Sequence, residues 1–140
     1  MTRDEIVDLF ARRAVAQADH DVDGLTALHA ENCVVESPLG GTHQGRPAIR
    51  DVYRMFFDAL PDAEITQDEL VIDGDRVIQV VTLTATDTGG FMGLPPSGRP
   101  AELPIVLACR VAGDLIVHER RIYDFTGLLV QIGVLKAKPV

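Results

Sequence analysis

The sequence predicts an α+β fold with its helices at the front and a meander of antiparallel strands behind them. Three observations support this. Apolar residues recur at helical spacing over residues 3–19 and 47–60. Long β-branched runs fill residues 64–124 and are separated by Gly-Asp turns. No helical stripe lies between those runs, which removes the crossovers that a parallel sheet needs. With 140 residues and no linker, repeat or low-complexity tract, a single domain over 1–140 with one core is expected.

Thr2-Arg3-Asp4-Glu5 is a capping-box pattern. Ile6, Leu9, Phe10 and Ala14 follow as the apolar stripe of a helix over about 3–19, with Arg13 and Gln17 at the same spacing. Asp21 or Asp23 can cap a short second helix carrying Leu25 and Leu28. Cys33 to Pro38 reads as a strand stopped by proline, and Leu39 to Gly45 as a glycine-rich loop. Pro47 suits the first turn of a third helix, with Ile49, Val52, Tyr53, Phe56 and Leu60 on one face. Strands are expected over 64–72, Val77–Thr86, Arg99–Val111 and Leu115–Asp124. Asp73-Gly74-Asp75 and Ala112-Gly113-Asp114 form the turns. Asp87 to Gly98 is a loop with four glycines and two prolines, and Phe91, Met92 and Leu94 make it either an apolar lid or an interface element. A last helical turn or two carries Leu128, Leu129, Ile132 and Leu135.

Thirteen basic against 21 acidic residues leave a formal charge of -8. That balance disfavours nucleic acid and anionic membranes, which need a basic footprint. No run of about 18 uncharged apolar residues is present, so no membrane helix is expected. The amino terminus lacks an apolar signal core, and the expected location is cytoplasmic. Cys33 and Cys109 lie in apolar strand runs and read as reduced core thiols. His20 and His29 look like helix-end residues, and no two histidines have metal-ligand spacing. No metal and no cofactor is expected.

The segment Phe91-Met92-Gly93-Leu94-Pro95-Pro96-Ser97-Gly98-Arg99 resembles the G-x-P-P-T-x-R segment of SnoaL-like polyketide cyclases. Tyr123 to Gly133 resembles the D-x-x-G-L-L-x-Q-L-G ending of the same family. Ala30 to Pro38 and Gly45 to Ile49 are similar to the wider nuclear transport factor 2-like superfamily. The resemblance implies a cone: a curved antiparallel sheet wrapped around the N-terminal helices, with an apolar cavity at one end. It also implies a hydrophobic small-molecule ligand and a homodimer formed through the outer sheet face.

The family's chemistry does not transfer whole. Its acid/base aspartate corresponds here to Arg121, and its second aspartate to Asp124. Its supporting histidine and glutamine correspond to Leu107 and Ile105. A guanidinium with a pKa above about 12 cannot serve as a base at neutral pH. The steroid isomerase relatives would need carboxylates where this chain has Ser37 and Leu107. The epoxide hydrolase relatives would need an aspartate at Arg121 and a water-holding tyrosine and asparagine at Val35 and Ser37, and the strand Val77–Thr86 contains no charge. Asp124, just before Phe125-Thr126-Gly127, suits a helix N-cap.

The resemblance implies that positions 105, 107 and 121 face inward, and strand alternation then turns Leu103, Ile105, Leu107 and Cys109 inward, together with Glu119, Arg121 and Tyr123. Cys33, Val35 and Ser37 join them, and Tyr53 and Phe57 reach the same space from the third helix. The candidate catalytic residues are therefore Glu119, as acid/base, and Arg121, as oxyanion or carboxylate partner. Candidate ligand contacts are Tyr123, Ser37, Tyr53, Phe57, Ile105 and Leu107. The expected function is a small-molecule protein with an apolar cavity for a polyketide-, steroid- or terpenoid-like ligand. It is either a cofactor-free cyclase, isomerase or hydrolase working by proton transfer, or a non-catalytic binding or dimerisation module. Cavity polarity separates the two: a Glu119 free beside an unfilled polar space fits the enzyme, and a Glu119 locked in an ion pair fits the binder.

Overall fold

A computed structural model describes residues 1–136; the last four residues of the expected domain lie outside the described set. Helix α1 (Arg3–Ala18) opens with the capping box, the Thr2 hydroxyl accepting from Glu5 N–H and Glu5 Oε2 accepting from Thr2 N–H. Its buried face runs Ile6, Leu9, Phe10, Arg13, Ala16 and Gln17, so an apolar stripe ends in two polar side chains that stay buried. Helix α2 (Val22–Ala27) is capped by Asp21 and buries Leu25. It delivers the chain to strand β1 (His29–Ser37).

Strand β2 (Gly41–Gln44) pairs antiparallel with the end of β1, from Val34↔Gln44 to Ser37↔Gly41. The glycine-rich stretch expected as a loop is therefore partly a hairpin. The turn uses the positive φ of Gly40 and Gly41, and the four residues of β2, mostly exposed, carry no alternation that periodicity could detect. Helix α3 (Arg46–Ala59) has its proline in the first turn, as expected. It buries Ile49, Val52 and Tyr53.

Strands β3 (Glu64–Asp73), β4 (Arg76–Thr86), β5 (Pro100–Ala112) and β6 (Leu115–Ile122) then form the meander, and helix α4 (Phe125–Gln131) follows. Asp124 caps α4 by accepting from Gly127 N–H. α4 ends before the last expected leucine, and Leu135 is exposed beyond it. The six-stranded sheet has the order β2-β1-β6-β5-β4-β3 and does not close. All pairs are antiparallel except β1 with β6. These two strands are joined through α3 and the whole meander rather than a hairpin, so no tight turn forces opposite directions.

Strand β5 runs through Pro104 without a break. Here β5 pairs with β4, at Thr82↔Pro104, while its pairing with β6 begins only at Val106↔Ile122. The proline thus sits where one side of the strand has no partner strand in β6, which tolerates its missing N–H. A bulge between Arg110 and Val111 shifts the register against β6, so that Ile116 is buried below it and Glu119 and Arg121 above it.

Two clusters form the core. One gathers Ile6, Leu9, Phe10, Leu25, Ile49 and Ile116; the other gathers Leu60, Phe91, Leu103, Leu128 and Ile132. Phe57, Ile65 and Ile105 pack against both and mark the seam between them. The 87–98 loop is tied to the second cluster. Phe91 is buried edge-on against Phe56 and Phe125, and Gly89 N–H donates to Ala59 O at the end of α3. Met92 and Leu94 are exposed. The loop closes on Asp87, 2% exposed, whose two oxygens accept from Gly90 N–H at 3.2 Å and Ser97 N–H at 2.9 Å.

Asp87→Ala should therefore loosen both ends of this loop at once. Loss of two charge-assisted bonds should cost about 2–4 kcal/mol, measured by urea unfolding, and should open a protease-sensitive site within residues 88–98.

A half-open cavity over a buried ion triad

The seam between the two core clusters contains a cavity of about 70 Å³. Its lining is mostly apolar: Phe56, Phe57, Ile65, Val81, Leu83, Ile105 and Leu107, with Tyr53 and Tyr123. Gln17, Arg13 and Arg121 supply its polar groups, and no carboxylate lines it among the described residues. That volume is below the ~150 Å³ hole known to take benzene. It suits one end of a ligand rather than a whole steroid-sized body.

Below the cavity lies Glu119, fully buried on β6. Arg13 Nη2 lies 2.5 Å from Glu119 Oε1, and Arg121 Nε donates to Oε2 at 2.7 Å. Cys109 Sγ adds a weak contact to Oε1 at 3.5 Å. Both carboxylate oxygens are thus engaged. Arg13 reaches this point because α1 carries it one turn beyond Leu9 and Phe10 on the helix's buried face. Arg121 follows Glu119 by two residues on one strand, so both face inward. Tyr53, from α3, lies under the Arg121 guanidinium at 4.7 Å from ring centroid to Cζ. Its hydroxyl accepts from Arg13 Nη2 at 3.2 Å and bonds His29 Nε2 at 3.0 Å. His29 Nδ1 meets Cys33 Sγ at 3.5 Å. His29 is fully buried at the start of β1, not a solvated helix end.

The charges follow from this geometry. Burial by itself would raise the Glu119 pKa, but the Arg13 and Arg121 guanidiniums outweigh it and hold the carboxyl well below the usual range. Burial opposes the charge on Arg13 and Arg121, yet Glu119 and Tyr53 keep both protonated. Burial pushes the His29 pKa down to about 3, and the guanidiniums reinforce this against Glu119, so His29 is neutral at pH 7. Burial pushes the Cys33 thiol up to about 12 and raises Cys109 further, so neither is a thiolate nucleophile. The buried triad therefore carries two cations and one anion. Arg13 Nε and Arg121 Nη2 are buried without a hydrogen-bond partner.

The sequence-based candidates divide cleanly. Arg121, Tyr123, Tyr53, Phe57, Ile105 and Leu107 line the cavity. Ser37 does not, but its Oγ bonds the Tyr123 hydroxyl at 3.1 Å and accepts from Leu39 N–H. Burial raises the Tyr123 pKa, so the phenol stays protonated and can donate. Glu119 is placed behind Arg121, away from the cavity, with no free oxygen to exchange a proton with a ligand. Arg13, His29 and Gln17 were not among the candidates. Arg13 and Gln17 did leave a signal, since two polar residues continued a buried helical stripe. His29 left none. Gln17 Oε1 accepts from Gln67, and Gln67 Oε1 accepts from Gln79, which holds an amide chain against the cavity wall. Among the described residues no group of three or more His, Cys, Asp or Glu could hold a metal ion, and no helix is long and apolar enough to cross a membrane.

Open sheet, helices on its inner face and a cavity at the seam define a nuclear transport factor 2-like cone of the ketosteroid isomerase type. The sequence matches the SnoaL-like polyketide cyclase family over residues 8–132, and the chain belongs to that family. The fold is similar to AclR from Streptomyces galilaeus, with a TM-score of 0.85, 23% identity, and 99% of this chain and 87% of that chain covered. TsrD from Streptomyces laurentii is similar with a TM-score of 0.84 and 22% identity over 96% of this chain and 99% of that one. IdmH from Streptomyces antibioticus shares 28% identity, with a TM-score of 0.75 over 91% of this chain and 97% of its own. No curated protein sequence matches.

Removing Glu119 leaves two buried guanidiniums facing each other. Glu119→Ala should cost about 3–5 kcal/mol and Arg121→Met distinctly less, because Arg13 and Glu119 remain a neutral pair; urea unfolding measures both. His29 gives a separate pH signature. Its folded pKa lies below the unfolded value of about 6.5, so protons favour the unfolded chain and stability falls as pH drops from 6.5 towards 3. In His29→Gln that decline should be smaller than in the wild type between pH 6.5 and 4.5, read from thermal midpoints.

Proposed function

We propose that the protein binds a small, mostly apolar molecule by inserting one end of it into the seam cavity, with Arg121 and Tyr123 as the polar contacts. The observation behind this reading is that Glu119 is locked by two guanidiniums while Arg121 and Tyr123 face an apolar space. Membership of the SnoaL-like family supports a small-molecule role. The sequence correspondence that puts Arg121 at the family's acid/base position supports binding over base catalysis, since a guanidinium does not accept protons at neutral pH. Glu119 on this reading is the counter-ion that positions Arg121, not the acid/base. A volume of about 70 Å³ favours a short or planar terminal group on the polyketide- or terpenoid-like ligand, the remainder extending through the open side. Pairing of two copies through the outer sheet face, where Ile122 is exposed and Val80 and Val106 are half-buried, is part of the same proposal.

One arrangement favours a second reading, a cofactor-free enzyme. The Tyr123 hydroxyl, backed by Ser37, stands on the cavity wall near a fixed cation. Arg121 and the Tyr123 hydroxyl could both donate to a ligand carbonyl oxygen and stabilise the negative charge that develops on it. In that case Tyr123→Phe abolishes turnover of a bound ketone and leaves its affinity within a few-fold.

The binding reading is tested with 1-hexanol and hexanamide as probes, followed by amide chemical shifts in NMR. Shifts should centre on Ile105, Leu107 and Arg121 and disappear in Leu107→Trp, whose indole fills the cavity. Probe shifts scattered over the surface, or unchanged in Leu107→Trp, would contradict it.

A further inference from the structure

The cavity floor is electrostatically incomplete. Arg13 and Arg121 bring two positive charges, Glu119 brings one negative charge, and His29 is neutral. One elementary charge is therefore uncompensated in a region where Arg13 is 1% and Arg121 9% exposed. Each arginine also retains one buried N–H without a partner, Nε of Arg13 and Nη2 of Arg121. Both side chains line the same cavity, and no aspartate or glutamate lines it among the described residues. Burying an unpaired cation is costly, and so is leaving its donors unsatisfied. Asp87 has its two amides, and Tyr53 has Arg13 and His29. Among the described residues, Gln79 Oε1 and Arg50 Nε are the other buried polar atoms without a hydrogen bond, and neither residue lines the cavity; the two unpartnered atoms on its lining residues both belong to cations.

We infer that the guest is an organic acid bound as its monoanion, its oxyanion completing the charge of the Arg13–Glu119–Arg121 triad and its apolar body filling the cavity. The inference rests on the binding reading above and adds the ligand's charge to it. The chemistry fits at each contact. Arg121 is held from one side by Glu119 at Nε and from its face by the Tyr53 ring, so its remaining donor is fixed in direction before the ligand arrives. The Tyr123 hydroxyl is supported by Ser37 and can donate to the second oxygen. Gln17 Oε1 already accepts from Gln67, and its amide nitrogen offers two further hydrogens as donors. The charged groups that the cavity presents are both cations and donors, and Tyr123 and Gln17 add further donors, which suits an anionic guest and disfavours an ammonium by like-charge repulsion.

The test compares hexanoate with hexanamide, 1-hexanol and hexylamine by calorimetry at pH 7 on the unmodified protein. Hexanoate should bind at least tenfold tighter than hexanamide and 1-hexanol, and hexylamine should not bind. Arg121→Gln, checked for folding by circular dichroism, should bring hexanoate and hexanamide to equal affinity. Arg121→Lys, which keeps the charge, should retain part of the preference. Equal affinity of hexanoate and the neutral probes in the wild type overturns the inference and leaves the binding reading intact, with water then satisfying the arginines. Failure of all four probes to bind, together with no effect of Leu107→Trp on any of them, overturns both.

Discussion

The structure depends on a carboxylate that has nowhere to go. Glu119 sits at the centre of the cone, with Arg13 on one oxygen and Arg121 on the other. Without it, α1 and β6 would press two guanidiniums together in a space that excludes water. With it, the helix layer and the sheet are joined by charge at a point where the two apolar clusters do not meet. A buried ion pair is weak evidence for added stability, because desolvation consumes most of the Coulombic gain. What it fixes here is position. It sets the rotation of α1, the register of β6 past its bulge, and the direction in which Arg121 points.

The cavity follows from the same arrangement. Side chains of two core clusters fill the cone from both ends, and only Phe57, Ile65 and Ile105 touch both. Arg13 and Arg121 occupy the seam and cannot pack as closely as leucines, because each keeps a donor to satisfy. The space left over is small, apolar on most sides and positive at its base. An acid/base site would need a carboxylate with a free oxygen and a pKa brought towards neutrality. This site has the reverse: burial is overruled by two cations, and the carboxyl is held ionised. The floor of the cone therefore carries a fixed charge in place of a titrating group.

Much of this was legible in the sequence. Alternation on β5 and β6 gave the inner face, and six of the eight proposed site residues line the cavity. The Gly-Pro-Pro loop and the Asp-Phe-Thr-Gly cap gave the family before any coordinates. The limits were physical. Arg13 continues the helical stripe of α1, but periodicity classes an arginine as a surface residue, and only burial places Arg13 and the unsignalled His29 in the core. β2 was too short and too rich in glycine to show a period. Asp87 carried no signal of its own at the start of the loop, because only three-dimensional closure brings Gly90 and Ser97 back onto its carboxylate. Cavity size is also beyond pattern reading, since it depends on how Phe56 and Phe57 fill the seam.

The central claim is that Glu119 remains an anion between two cations, and a carbon-detected NMR titration addresses it directly. The Cδ resonance of Glu119, assigned by its absence in Glu119→Gln, should stay at the ionised position while the other glutamates titrate near their usual value of about 4.3. A Cδ resonance that moves with the exposed glutamates, or one already at the protonated position at pH 6, would contradict the account.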